Sequence, residues 1–386
     1  MNAIIAIIIF SLFNIVYKPT FTIAMFLTIG VIIYDMKKYG IGYCFDRIKI
    51  NNNLKKIILW FYMCIIMASL LSGHLQGIKI SLNYLYWTLP FWMIVYVGRE
   101  RSVWKGVYWG LAISCFWLCG WGLLEHFQNP TVRIKGFFGS ANAYAIMLEL
   151  ILPFSVMMFF RMQEKLWKCL YVLIFLLIGY SLYFTQSRGA IGGVSIAFFL
   201  LLILGVKFFR KEPISKGIVA GVISLFLIIF FAGINSRLLV KEKYDNERML
   251  LAKSTYSMWV DHKILGVGLG NWERFYKEKY ISSEARERDL NIAHNAPLQI
   301  LSETGIIGGI GFWGMNLGLF LFLLKQFLKN KENILICAML WALLAFNIHG
   351  FVDAGFLFKY GNKLFWGLLG ITYLSLENGY NISEKG

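Results

Sequence analysis

At 386 residues, with 58% hydrophobic and 17% aromatic side chains and a mean hydropathy of +0.62, the chain is too apolar for a soluble domain and has the composition of a polytopic membrane protein. Its formal charge of +17 suggests nucleic acid, but the distribution argues against that partner, because Lys and Arg gather in alternate connections between apolar runs. The six cysteines lie in or beside those runs, apart from Cys44, so neither a disulfide framework nor a metal site is expected.

Apolar runs fall near residues 3–17, 19–34, 57–73, 81–98, 106–124, 140–160, 166–184, 189–209, 215–234, 304–324, 333–350 and 363–377. Most can supply the roughly 17 to 25 helical residues that cross a bilayer, which predicts about 12 spans. The runs are continuous where a membrane barrel's would alternate, so the expected fold class is all-α, a transmembrane helical bundle. Run 3–17 has no basic residue before it and no small-residue cleavage site ahead of Lys18-Pro19, and reads as a retained span. Basic residues cluster around Lys37 to Lys56, Arg99 to Lys105, Arg161 to Lys168, Lys207 to Lys216 and Lys325 to Lys331. The positive-inside rule then puts both termini in the cytoplasm. The expected parts are spans 1–9 over residues 1–234, an outward loop over 235–296, spans 10–12 over 297–377 and a cytoplasmic tail over 378–386.

Within the loop, residues 246–262 read as an amphipathic helix lying on the membrane, with Met249, Ala252, Tyr256 and Trp259 as its apolar stripe. Arg248 is expected in its first turn, where the positive end of the helix dipole disfavours a cation. Either a nearby anion or pairing with Asp245 or Glu247 would offset that. The run Gly266-Val267-Gly268-Leu269-Gly270-Asn271 lacks the spacing and preceding strand of a dinucleotide loop and reads as a tight turn. His294 and Asn295 precede a helix with Pro297 in its first turn, and a histidine at a membrane rim is either structural or a proton acceptor. Glu149 and Glu303 are expected to pair with Arg133 or to orient that histidine, and His349 and Asp353 to hydrogen-bond each other across one helical turn. Aromatics near Trp259 and Trp272 are candidates to line a groove for a polyprenyl chain.

In order along the chain stand Arg133, Gly136 and Asn142; Thr185-Gln186-Ser187-Arg188-Gly189-Ala190; Arg248 with the glycine turn; His294-Asn295 through Glu303-Thr304-Gly305; and His349 with Asp353. Over residues 130–355 this pattern resembles the O-antigen ligase and polymerase family of bacterial membrane glycosyltransferases. The resemblance implies a glycan donor carried on undecaprenyl pyrophosphate, a glycan or lipid A-core acceptor, and a site on the outer face of the inner membrane, amid membrane lipid. It implies pyrophosphate binding by Arg188 and Arg248 and activation of the acceptor hydroxyl by His294. Arg133, Asn142, Asn295, Glu303, His349 and Asp353 are the accompanying substrate-binding candidates. Arginine suits the first task, since its planar fork grips phosphate oxygens and stays charged when partly desolvated. With two such cations neither a metal nor another cofactor is required, in keeping with the absence of an Asp-x-Asp motif from the outward loops. The single long loop between spans nine and ten favours a ligase over a repeat-unit polymerase. Charges gathered at one face disfavour a transporter.

Overall fold

The computed structural model describes residues 18–99, 104–203, 241–330 and 333–377. The expected spans over 3–17 and 215–234, the start of the loop at 235–240 and the tail lie outside the described residues. All regular structure among the described residues is helical.

In chain order the helices are α1 (Lys18–Tyr39), α2 (Ile41–Arg47), α3 (Asn52–Leu71), α4 (Leu75–Trp87), α5 (Leu89–Gly98), α6 (Trp104–Gln128), α7 (Ala141–Arg161), α8 (Lys165–Thr185), α9 (Arg188–Ile203), α10 (Lys241–Asp261), α11 (Trp272–Phe275), α12 (Ala296–Lys329), α13 (Ile334–Gly350) and α14 (Lys359–Glu377). Six of these are long and apolar enough to cross a membrane, and α9 and α13 are shorter apolar helices. The single span expected over 81–98 is two helices, because Pro90 has no N–H to continue the ladder and Thr88 turns the chain, its Oγ1 donating to Leu85 O at 2.7 Å. In the expected tenth span, Gly305 takes φ +60° and breaks α12 into a short leading segment and a long helix.

α13 is almost wholly buried and packs against α7 and α9; α12 runs along α3, and α14 along α5. The outward faces are as apolar as the interior, with Leu59, Met63, Met67, Ile310, Leu317 and Leu321 all exposed. A core of apolar contacts wrapped in a second apolar surface is what hydrocarbon as solvent demands. Between α9 and α12, residues 241–295 close around a separate cluster of Leu251, Met258, Val267, Trp272, Tyr276 and Ala293. α10 turns Leu251, Thr255 and Met258 to this side and leaves Met249 and Tyr256 open. Trp272, stacked on Tyr276 with centroids 4.8 Å apart, donates from Nε1 to Thr255 Oγ1 at 3.1 Å. Being fully buried, it lines no groove, contrary to the expectation from sequence.

Candidate functional site

The chain around His294 is held from both sides. Asn295 caps α12, its Oδ1 accepting from Leu298 N at 2.9 Å, and its Nδ2 donates to Phe351 O at 2.8 Å. Ala293 N donates to Gln299 Oε1 at 2.9 Å, and Ala296 N to Asp353 O at 3.2 Å. Between these anchors His294 adopts φ +47°, the left-handed region that non-glycine residues seldom occupy. Such a conformation persists where neighbours over-determine it, often at functional sites. Its Nδ1 lies 3.3 Å from Asp353 Oδ1, and its side chain is 29% exposed. Nε2 has no protein partner among the described residues and is the nitrogen free to take a proton from a ligand.

Asp353 also accepts from Ala354 N at 2.7 Å. Burial acts to raise its carboxyl, but the His294 hydrogen bond, the charges of His349 and His294 and the Ala354 N–H together hold it well below the ordinary carboxylate range. It is therefore a carboxylate that fixes the His294 ring and steadies positive charge on it. The pairing expected between His349 and Asp353 is a 4.0 Å contact from Nε2 to Oδ2, too long for a hydrogen bond. The short bond of His349 runs instead from Nδ1 to Glu149 Oε2, at 2.8 Å. Glu149 thus meets neither Arg133 nor His294, because α7 and α13 pack side by side and bring these two residues together.

The segment after α8 starts α9 against this cluster. Gln186 ends the helix at φ +52°, Ser187 N donates to Thr185 Oγ1 at 3.2 Å, and α9 begins at Arg188. The first turn of α9 lies directly on His349: a Cβ at Gly189 would be 2.5 Å from His349 Cδ2. The Arg188 fork grips Asp245 of α10, with Nη2 2.5 Å from Oδ1 and Nη1 3.3 Å from Oδ2. Arg133 donates from Nε to Thr185 O at 2.7 Å and from Nη2 to Asn142 Oδ1 at 2.9 Å, so these two residues brace the end of α8.

Arg248 is the eighth residue of α10 and not in its first turn, so the helix dipole has no hold on it. It also pairs with neither expected carboxylate. Asp245 serves Arg188, and Glu247 accepts from the backbone N–H groups of Arg286 and Glu287. Half-buried, Arg248 has no hydrogen-bond or ion-pair partner among the described residues, and its charge acts on His349.

Glu303 neither pairs with Arg133 nor contacts His294. Its Oε1 accepts from Trp272 N at 3.2 Å, and it also takes bonds from Gly270 N and the Gln299 amide. It fastens the glycine turn to α12. A Cβ at Gly266, at φ +67°, would be 2.3 Å from the Glu303 carbonyl carbon, and Val267 N donates to Ser302 O at 2.8 Å. The glycines therefore allow a close backbone approach and form no phosphate cradle. Gln299, which links Glu303 to the backbone just before His294, is a site residue that sequence reasoning missed, and Asp245, expected as a partner of Arg248, holds Arg188 instead. The only signal of Gln299 is a polar side chain near an apolar segment.

Asp353, Arg248 and the first turn of α9 thus lie around one buried histidine, His349, with His294 on the other side of Asp353, in a chain of membrane-spanning composition whose regular structure among the described residues is helical. Residues 172–313 match the family model described as O-antigen ligase, the family that the sequence resembles. No curated protein sequence matches the chain.

Proposed function

We propose that the protein is an O-antigen ligase-type glycosyltransferase of the bacterial inner membrane. It transfers a glycan from undecaprenyl pyrophosphate to an acceptor hydroxyl such as that of lipid A-core, at a site facing away from the cytoplasm. The carrying observation is the His294–Asp353 pair at 3.3 Å, next to His349, on which the charge of Arg248 acts and against which the helix headed by Arg188 packs; Arg248 has no hydrogen-bond or ion-pair partner among the described residues. The family match over residues 172–313 supports the same reading.

The donor pyrophosphate binds the two guanidinium groups, with Asp245 setting the plane of Arg188 beforehand. His294 Nε2 removes the acceptor hydroxyl proton while Asp353 holds Nδ1–H and stabilises the imidazolium that results. The acceptor oxygen then attacks the anomeric carbon from the face opposite the pyrophosphate. A C–O bond forms, the bond to the phosphate oxygen breaks, and undecaprenyl pyrophosphate departs with the electron pair. The anomeric centre inverts. Charge grows on the leaving oxygens, where fixed cations contribute most. The open Met249 and Tyr256 face of α10 supports contact with the outer leaflet, where the donor's lipid resides.

The test is transfer by purified protein given a lipid-linked repeat unit, with and without lipid A-core. Capture by the acceptor is expected, and chain growth in its absence would make the protein a polymerase using the same donor. Arg188→Ala, Arg248→Ala and His294→Ala should each lower transfer by at least about 10²-fold at normal membrane levels. Wild-type glycan profiles in all three would end the proposal.

A further inference from the structure

Lys363 is a buried cation that the proposed transfer does not use. It stands one turn into α14 and is 8% exposed. Its ammonium lies 3.9 Å from the ring centroid of Phe21 on α1 and 4.4 Å from that of Tyr86 on α4. It has no hydrogen-bond or ion-pair partner among the described residues, and the charged group among them that acts on it is a second cation, Lys359, the exposed first residue of the helix. Residues 1–17, which precede α1, contain no Asp or Glu. Two ring faces offset only part of the cost of burying a charge, and a charge at membrane depth is by default paired or used. The first turn of α14 also lacks an acidic residue. Both lysines therefore stand at the positive end of the helix dipole, where an anion is stabilising and a cation is not. Helical side chains lean toward the N-terminus of their helix, which aims Lys363 back toward Lys359, whose Cα is about 6 Å away along the axis. Leu82 and Tyr86, one turn apart on α4, are 55% and 39% exposed, so this wall of the crevice between α1, α4 and α14 turns to the bilayer. The connection that carries Asp353 leads directly into α14, and Phe356 within it stacks on Tyr84 of α4 with centroids 5.9 Å apart. The two lysines thus lie at the end of the bundle that holds His294.

We propose that Lys359 and Lys363 bind the phosphate of an anionic phospholipid whose acyl chains lie along α4. The phosphate sits at the head of α14 and accepts from both ammonium groups, while Leu82 and Tyr86 meet the chains. A soluble phosphate gains only the first of these contacts. The bound lipid fastens α1 and α4 to α14 at the rim that carries the transfer site. This site is separate from the transfer chemistry, and its test requires no glycan. Full-length wild type, Lys363→Gln and Lys359→Gln, purified in detergent, are titrated with phosphatidylglycerol, phosphatidylcholine or inorganic phosphate and followed by native mass spectrometry. Lys325→Gln, at an exposed lysine near the other end of α12 from His294, is the control. Wild type and control should hold one phosphatidylglycerol at least about tenfold more tightly than phosphatidylcholine. Lys363→Gln and Lys359→Gln should each lose about tenfold in that affinity, the worth of one hydrogen bond to a charged group. Melting temperatures in the same detergent report folding. Equal affinity for phosphatidylglycerol in wild type and folded Lys363→Gln would overturn the proposal and leave Lys363 a cation–π clamp between α1, α4 and α14. Inorganic phosphate held as tightly as phosphatidylglycerol would overturn the choice of a lipid. Should Lys363→Gln not fold, Lys359→Gln decides by the same comparison.

Discussion

Replacing Asp353 by Asn tests the orientation of the base with little disturbance of the fold. Asn retains the backbone carbonyl that receives Ala296 N, and its side-chain oxygen can still accept from Ala354 N. What disappears is the negative charge 3.3 Å from His294 Nδ1. At that separation a unit charge pair is worth about 5 kcal/mol at an effective dielectric of about 20. His294 is 29% exposed, and screening by water reduces that to about 2 to 3 kcal/mol. Each 1.4 kcal/mol or so is tenfold in rate, so kcat should fall about 10²-fold. The donor KM should hardly change, since the charge on His294 develops only as the acceptor proton moves. Transfer kinetics on purified wild type and Asp353→Asn, with melting temperatures in the same detergent, give the comparison. A folded variant within about threefold of wild type in kcat would refute the orientation argument.

Three other outcomes are expected. If Arg188 binds the donor and is not only a tether for α10, Arg188→Ala should lower kcat/KM by about 10² to 10³, as loss of one preorganised donor does, and Asp245→Asn by less than about tenfold; equal losses would mark the ion pair as purely structural. Gly266→Ala places a Cβ 2.3 Å from the Glu303 carbonyl carbon at φ +67° and should sharply reduce folded protein in membranes, so normal yield and melting temperature would contradict the close packing. The Tyr280 hydroxyl and Lys279 hold the Asp261 carboxyl below its usual range. Its contribution to tethering α10 is therefore present above the unfolded carboxylate range, near pH 4, and is lost as pH falls through the lower folded value. Limited proteolysis of the loop should accelerate there in wild type, and Asp261→Asn should lose that pH dependence.

Composition and the length of the apolar runs made the all-α class legible, and Pro297 with Asn295 announced the start of α12. Other features depended on distance across the fold. His294 and Asp353 are 59 residues apart and Glu149 and His349 are 200 apart, and only the packing of α7, α9 and α13 joins them. Arg248 lies deeper in its helix than the sequence pattern suggests, because the polar residues 241–245 carry no apolar period to announce the first turn. The break at Thr88 was readable from Pro90, but a continuous apolar run masked it. Glu303 stood out beside His294 in sequence, yet helical geometry turns it toward Trp272 and the glycine turn.

The central claim is that Arg188 and Arg248 hold a lipid pyrophosphate next to His294. Its most direct test is an electron cryomicroscopy structure of the full chain with an undecaprenyl pyrophosphate-linked saccharide. The account predicts both phosphates on those two guanidinium groups, with the anomeric carbon placed so that an acceptor oxygen about 3 to 3.5 Å away can also reach His294 Nε2. A pyrophosphate bound elsewhere, or one with His294 turned from the sugar, would contradict it.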